Sequence, residues 1–287
     1  MRALLFVTAL LAGLGQAFSI ASPWGGQPQW WLQLLSLAVL AGVLQRASSW
    51  REAAVAGWLF AIAWLAGTWW WLFISMHVYG GLAAPLAVIA VLALAGFLGL
   101  YYAFAAALFA LTRDRAATVR AFAFAGAWLL AELVRGTLFT GFPWGAGGYA
   151  HVDGPLAALA PFVGVYGIGF VAALLAHEVA ALSLTRVRAW RSWLVIAITA
   201  GLLAACNTIA PQGGDAPSGR KLSVALLQGN IPQDEKFEPG SGVPLALQWY
   251  AQQLQETQAS LTVTPETAIP VLPQQLPANY QDAVVAR

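Results

Sequence analysis

Arginine is distributed along the first 211 residues in a way that constrains how the chain can lie in a bilayer. Apolar stretches of helix length are separated by short gaps, and strong cations occupy the N-terminus and alternate gaps. These cations are Arg2, Arg46, Arg51, Arg113, Arg115, Arg120, Arg186, Arg188 and Arg191. Cytoplasmic loops carry an excess of Lys and Arg, so the pattern predicts that the N-terminus and these three loops lie inside.

The composition is typical of a membrane protein. Hydrophobic residues make up 60% of the chain and charged residues only 9%, whereas a soluble domain carries about 25% charged residues. The net charge is +2, which is too small for the basic surface that nucleic-acid-binding proteins present. We therefore expect lipid contact and no nucleic-acid partner.

Seven apolar stretches approach the length of roughly 20 residues that a membrane-spanning helix needs. They cover residues 3–21, 29–45, 53–76, 82–111, 117–135, 156–183 and 190–210. An odd number of spans places everything after residue 211 outside. The first stretch also has the layout of a cleaved signal peptide. The topology accommodates both a cleaved signal peptide and a membrane span that stays in the mature protein. The resemblance described below favours the span that stays.

Ionisable residues within apolar stretches are the usual first place to look for function. Glu132 precedes Arg135 by one helical turn, and a structural pair near the outer interface is as good an interpretation as a substrate contact. His177 and Glu178 fit positions near the cytoplasmic interface better than a proton relay. His77, alone at an outer edge, is typical of an interfacial histidine.

The single cysteine, Cys206, fits a small buried hydrophobe, and no metal site is predicted.

The segment 140–149 contains four glycines, a proline and several aromatic residues, Trp144 among them. It therefore predicts irregular backbone, which is tolerated at membrane depth only when it is buried in protein or lines a cavity. A surface turn with interfacial aromatics and the wall of a cleft open to the outer leaflet are equally consistent with this pattern.

Beyond residue 211 the pattern changes to that of a soluble α/β unit. A turn-rich linker, 212–221, precedes an apolar strand at 222–227, a helix at 244–260 and a second strand at 261–264. Glu266 follows the second strand between Pro265 and Pro270, and rigid placement at a strand end suits an active-site carboxylate. Two strands and one helix are too few for independent stability, which predicts that the sequence is a fragment of a longer protein.

Several motifs, in this order and spacing, resemble the apolipoprotein N-acyltransferases of bacterial inner membranes. The resemblance covers essentially the whole chain, and its two motifs beyond residue 211 are the more specific. The motifs are Trp71–Gly81, Arg135 with Thr140–Trp144, Asp153–Leu156, Gln228–Gln233 and Pro265–Pro270.

The resemblance implies a membrane all-α bundle over residues 1–211 and, after the 212–221 linker, the beginning of an extracytoplasmic α-β-β-α nitrilase-like sandwich over 222–287. It implies a Glu–Lys–Cys triad in which Glu266 is the general base. The cysteine takes an acyl chain from a phospholipid as a thioester and passes it to the N-terminal cysteine of a diacylglyceryl apolipoprotein. Phe237, Trp144 and His77 would contact substrate, and no cofactor is implied.

The sequence departs from the family pattern at two aromatic positions. Phe237 and Thr264 stand where the family usually has tryptophan. Phenylalanine keeps an aromatic face but loses the indole N–H, so a membrane-inserting role would survive and a hydrogen-bonding role would not. The matching lysine and cysteine would lie beyond residue 287, so this polypeptide alone is expected to be inactive.

Two other classes of function remain open at this stage. A transporter with a small outer cap would show internal repeats and broken, charged helices near the midplane, and no clear repeat connects the two halves. A polytopic scaffold could use the unfinished sheet edge to recruit a strand from a partner.

Overall fold

The structure, a computed structural model, describes residues 2–185, 190–209 and 221–280. The chain divides into two compact units, Met1–Pro211 and Gln212–Arg287. The predicted linker lies outside the described residues except for Lys221, as do Arg186 and Arg188.

The first unit is helical, and each of the seven predicted apolar stretches contains a helix. The helices are α1 (Arg2–Ile20), α2 (Trp30–Arg46), α3 (Trp50–Thr68), α4 (Trp71–Ile74), α5 (Ala84–Ala110), α6 (Ala117–Thr137), α7 (Ala160–Thr185) and α8 (Trp190–Ile209). Among the described residues, four helices are long and apolar enough to cross a membrane, and a bent pair makes a fifth. This architecture fits a membrane helical bundle.

The predicted continuous stretch 53–76 is broken in the structure. Helix α3 ends at Thr68, and α4 passes directly into a π-helix at Ser75–Tyr79. The two parts are bent by 53°. At the break, the indole of Trp69 is fully buried and donates to the Trp144 carbonyl at 3.2 Å. Hydropathy alone could not predict this, since the apolar pattern runs through the break.

Helix α3 lies at the centre of the bundle, between α1 and α5. Small residues allow the helices to approach closely, as is usual in membrane bundles. A Cβ on Gly13 of α1 would lie 2.2 Å from the Phe60 carbonyl oxygen, so only glycine fits there. Stacked rings of Trp64 and Trp128, with centroids 5.1 Å apart, fill the space between α3 and α6.

The ionisable pair near the arginine end of α7 is more deeply buried than the sequence suggests. His177 Nδ1 lies 3.5 Å from a Glu178 carboxylate oxygen, and Ser192 of α8 donates to the other oxygen. The His177 ring packs against Phe109 and Phe124. Neighbouring side chains therefore bury both residues within the helical unit, and their position near the cytoplasmic interface stays a prediction. Cys206 packs against an apolar cluster that includes Leu159 and Ala172, as expected of a small hydrophobe.

The second unit contains a β-α-β arrangement, as the sequence predicts. Strands β1 (Val224–Leu226) and β2 (Leu261–Val263) pair in parallel, with Val224 opposite Leu261. Helix α9 (Gly242–Glu256) connects them. Its inward face buries Ala246 and Tyr250, which pack with Ala268 beyond β2. Because the strands are parallel, their carboxyl ends lie at the same edge.

His151 occupies an unusual position between two candidate spans. It ends a short 3₁₀-helix, Gly147–His151, and is fully buried beside the Trp30 ring, with centroids 6.5 Å apart. Neither ring nitrogen has a hydrogen-bond partner among the described residues. Burial lowers the pKa of His151 from its usual 6.5 to about 4, because the charged form cannot be solvated there.

This burial predicts an acid-sensitive fold. Between pH 6.5 and 4 the unfolded state binds a proton at His151 and the folded state does not, so stability should fall as the pH falls through that window. The thermal unfolding midpoint of the detergent-solubilised protein, followed by tryptophan fluorescence, should drop between pH 7 and 4.5. The midpoint of His151→Phe should drop less over this pH range, whereas that of the control His77→Phe should drop as much as that of the parent protein. Equal acid sensitivity in His151→Phe would contradict this account.

Candidate active site

The irregular segment 140–149 is held by a buried arginine. Arg135, in the last turn of α6, is fully buried. Its Nη1 donates to the carbonyl oxygens of Phe142 and Trp144 at 2.6 and 2.9 Å, and its Nε donates to the Tyr102 hydroxyl at 3.0 Å. The guanidinium also lies 5.7 and 5.8 Å from the ring centroids of Trp64 and Trp69. The planar fork of donors makes arginine suited to holding several carbonyls at once.

Glu132 completes this network one helical turn earlier. Its carboxylate lies 3.8 Å from Arg135 Nη2 and accepts the backbone N–H of Gly147 at 2.7 Å. From the opposite side Gln33 of α2 donates to the Gly147 carbonyl at 2.6 Å. Glu132 and Arg135 are both fully buried, so of the two interpretations left open by the sequence the structural pair is favoured. The pair lies inside the bundle and fixes the fold of the segment.

The backbone of the segment turns sharply as it leaves α6. Phe139, Thr140 and Gly141 have positive φ angles of 53°, 71° and 78°. A Cβ on Gly141 would lie 2.1 Å from the Gly136 carbonyl oxygen. This glycine therefore allows the chain to fold back along α6, where the Phe142 N–H donates to the Arg135 carbonyl at 2.8 Å.

The turn presents Trp144 with a fixed backbone and an accessible ring. Its carbonyl accepts from both Arg135 and Trp69, whereas its side chain remains 55% exposed. The Phe142 ring supports it from one side, with centroids 4.8 Å apart, and in turn packs edge-on against Trp69 at 4.5 Å. An exposed aromatic on a rigid backbone is arranged to contact something outside the bundle.

His77 belongs to the π-helix that follows the break in α3. Its Nδ1 donates to the Leu82 carbonyl at 2.8 Å, and its ring lies 5.2 Å from that of Phe73. This hydrogen bond leaves Nε2 as the unprotonated nitrogen of the neutral ring. Among the described contacts, His77 and Trp144 share no partner, so the structure does not bring these two sequence-predicted residues into one network.

In the second unit, the two specific motifs meet at one edge of the parallel strands. The Gln228–Gln233 motif follows β1 and the Pro265–Pro270 motif follows β2, so strand pairing places their beginnings side by side. The Tyr250 hydroxyl of α9 accepts the Gly229 N–H at 3.1 Å, and Gln228 donates to the Asn230 side chain at 2.9 Å. Ligands commonly bind outside the carboxyl ends of parallel strands.

Glu266 lines an open cavity of about 230 Å³ at this edge. The walls are formed by both strand ends, α9 and the loop before it. The lining residues are Gln228, Asn230, Ile231, Lys236, Ala246, Tyr250, Pro265, Glu266 and Thr267. Glu266 is exposed to solvent, and the backbone after it turns through Thr267, whose φ is 57°. The carboxylate is thus accessible and carried on a defined turn.

Phe237 lies next to this cavity and does not line it. Its ring is 58% exposed, and Lys236 Nζ lies 5.8 Å from its centroid. Lys236 itself faces the cavity that contains Glu266. Nothing in the sequence distinguishes Lys236 beyond its position between acidic residues and an aromatic residue. Gln33 carries a clearer signal, because a glutamine within an apolar helix is a sign of a buried polar contact, but the motifs do not include it.

Comparison with known proteins agrees with the resemblance carried by the motifs. Residues 6–177 match the sequence model of the apolipoprotein N-acyltransferase N-terminal domain. The chain is 55% identical to the apolipoprotein N-acyltransferase of Verminephrobacter eiseniae, over 96% of this chain and 54% of that protein. It is 42% identical to that of Ralstonia nicotianae, over 97% of this chain and 53% of that protein.

A third relative, the apolipoprotein N-acyltransferase of Chromobacterium violaceum, is 34% identical over 96% of this chain and 52% of its own length. The chain thus spans about half the length of the curated relatives it matches. The match covers the helical unit and extends into the β-α-β unit, which includes both of the more specific motifs. The chain belongs to the apolipoprotein N-acyltransferase family.

Proposed function

We propose that this chain forms the membrane unit and the first part of the catalytic unit of an enzyme that N-acylates lipoproteins. The observation that carries the proposal is the position of Glu266, which lines a cavity at the joint end of two parallel strands and lies within a family-specific motif. The names of the relatives supply the reaction class and the apolipoprotein acceptor. Phospholipid as the acyl donor is part of the proposal.

In the proposed reaction Glu266 acts as the general base. It accepts the proton of a cysteine thiol, and the thiolate attacks the ester carbonyl of the phospholipid. The ester C–O bond breaks as the thioester forms, and Glu266 returns its proton to the departing alkoxide, which leaves as a lysophospholipid. The N-terminal amine of the apolipoprotein then attacks the thioester and loses a proton to Glu266, which passes that proton to the departing thiolate and so regenerates the thiol. The family resemblance assigns the cysteine, and a lysine that stabilises oxyanion charge, to positions beyond residue 287.

The helical unit would supply the lipid to this centre. Trp144, exposed on the segment held by Arg135, and the exposed Phe237 are proposed to contact acyl chains. His77 is also proposed to contact substrate. Aromatic rings favour the interfacial level of a bilayer, and a substrate that never leaves the membrane can approach such rings laterally.

The proposed topology has seven spans with the N-terminus in the cytoplasm, in a bacterial inner membrane. Helices α2 and α8, which are not among the candidate spans found by length and composition, count as spans in this proposal, because the arginine pattern requires each loop in turn to alternate sides. The unit that contains Glu266 is then periplasmic, on the side where lipoproteins receive their last acyl chain.

Replacement of Glu266 tests the catalytic assignment. In the complete gene product, Glu266→Gln should reduce conversion of a diacylated to a triacylated lipopeptide by roughly 10²–10⁴-fold, the contribution of a positioned general base. Gel-shift or mass analysis of the product measures the conversion. Glu256→Gln, which changes an exposed glutamate at the end of α9, should leave the rate unchanged. Full activity in Glu266→Gln would remove the basis of the proposed mechanism.

Cysteine labelling tests the topology. After Cys206→Ala, single cysteines are introduced by Arg115→Cys and Glu238→Cys. A membrane-impermeant maleimide should label the second in cells with a permeabilised outer membrane, and the first only after lysis. The reverse result would place Glu266 in the cytoplasm and contradict the proposal.

Two substitutions distinguish the role of the Trp144 ring from the role of the hydrogen-bond network that holds its backbone. Trp144→Ala should raise the KM for the lipid donor several-fold without changing the thermal midpoint, because the ring is exposed. Arg135→Lys should lower both the activity and the midpoint, because lysine cannot reach three acceptors in a fixed fork. Trp24→Ala, which removes a more exposed tryptophan elsewhere, is the control. An unchanged KM in Trp144→Ala would exclude a substrate contact at that ring.

A further inference from the structure

An apolar groove lies at the arginine end of the helical unit, on helices α1, α2 and α7. It has a volume of about 670 Å³. Apart from one threonine and one arginine, its lining is entirely apolar. The lining residues are Leu4, Leu5, Thr8, Leu35, Ala38, Val39, Gly42, Val43, Arg46, Val179 and Ala180. None of these residues belongs to the candidate active site.

Helix α2 contributes a continuous stripe to this groove. The stripe runs from Leu35 to Arg46 with the three- and four-residue spacing of one helical face. At a rise of about 1.5 Å per residue it is roughly 16 Å long. This length matches half of a hydrocarbon core about 30 Å thick, so the groove extends through one leaflet.

The groove has two polar side chains, Thr8 and Arg46. The Thr8 hydroxyl donates to the Leu4 carbonyl of its own helix at 2.8 Å and needs no further partner. Arg46, in the last turn of α2, is exposed and donates from Nη1 to the Gly42 carbonyl at 3.0 Å. A guanidinium has five N–H donors, so Arg46 retains donors for a phosphate. Helix α1 begins at Arg2, whose side chain is also exposed.

We propose that this groove binds one acyl chain of an anionic phospholipid, with the phosphate on Arg46. The chain would lie along the stripe from Val43 to Leu35, and the headgroup would face the guanidinium. Basic pockets between helices on the cytoplasmic side favour anionic headgroups, because the attraction adds to burial of the acyl chain. This lipid is structural and separate from the acyl donor, so the site does not depend on the proposed catalytic role of Glu266.

Native mass spectrometry of the purified full chain tests the proposal. The protein is taken from nanodiscs that contain equal amounts of phosphatidylglycerol and phosphatidylcholine, and the lipids retained after detergent exchange are counted. The parent protein should retain phosphatidylglycerol preferentially. Arg46→Gln should retain it about fivefold less, the factor expected for one arginine beside an anionic lipid surface. Arg115→Gln, which removes an exposed arginine of another predicted cytoplasmic loop, should retain it as the parent does.

A second variant distinguishes the contribution of the apolar groove from that of the Arg46 charge. Val39→Trp would fill the middle of the stripe and should abolish retention of both lipids at this site while Arg46 stays in place. The thermal midpoint in lipid-free detergent shows whether each variant is folded, and a photoreactive acyl chain on phosphatidylglycerol should label α1, α2 and α7 in the parent protein. Equal retention of the two lipids, undiminished retention in either Arg46→Gln or Val39→Trp, or labelling elsewhere would overturn the proposal.

Discussion

The buried guanidinium of Arg135 makes the interactions on which the end of the helical unit that carries Trp144 depends. A charge at this depth needs a partner and several hydrogen bonds, or the desolvation cost exceeds the gain. Glu132 supplies the charge, and Tyr102, Phe142 and Trp144 supply the acceptors. Because two of these acceptors are main-chain carbonyls of an irregular segment, the same contacts that satisfy the arginine also determine the path of that segment.

This arrangement accounts for several features that otherwise look unrelated. The break after α3 buries Trp69, which shares the Trp144 carbonyl with Arg135. The left-handed turn before Gly141 returns the chain towards α6. Gln33 and Glu132 hold Gly147 from two sides. The buried charges are thereby committed to holding a loop, which removes the main sequence feature that a transporter interpretation could use.

The two ends of the helical unit differ in the way they meet lipid. At the end that carries Trp144, aromatic side chains project from a rigid, hydrogen-bonded backbone. At the arginine end, an apolar stripe on α2 leads to Arg46. A transient contact with a substrate suits exposed rings, whereas a retained lipid suits a groove with a cation at its mouth. The helical unit thus separates the proposed substrate contact at Trp144 from the proposed structural lipid.

The sequence by itself determined the family, the positions of the helices and the β-α-β order, because hydropathy, arginine placement and strand-end motifs are local patterns. The predicted 117–135 stretch, for example, corresponds to α6 at Ala117–Thr137. The sequence could not decide whether Glu132 and Arg135 face a substrate or the core. Nor could it predict where α3 breaks, or that Ser192 of α8 donates to Glu178. Those outcomes depend on residues far apart in the chain, such as Gln33 and Gly147, which only tertiary packing brings within hydrogen-bonding distance.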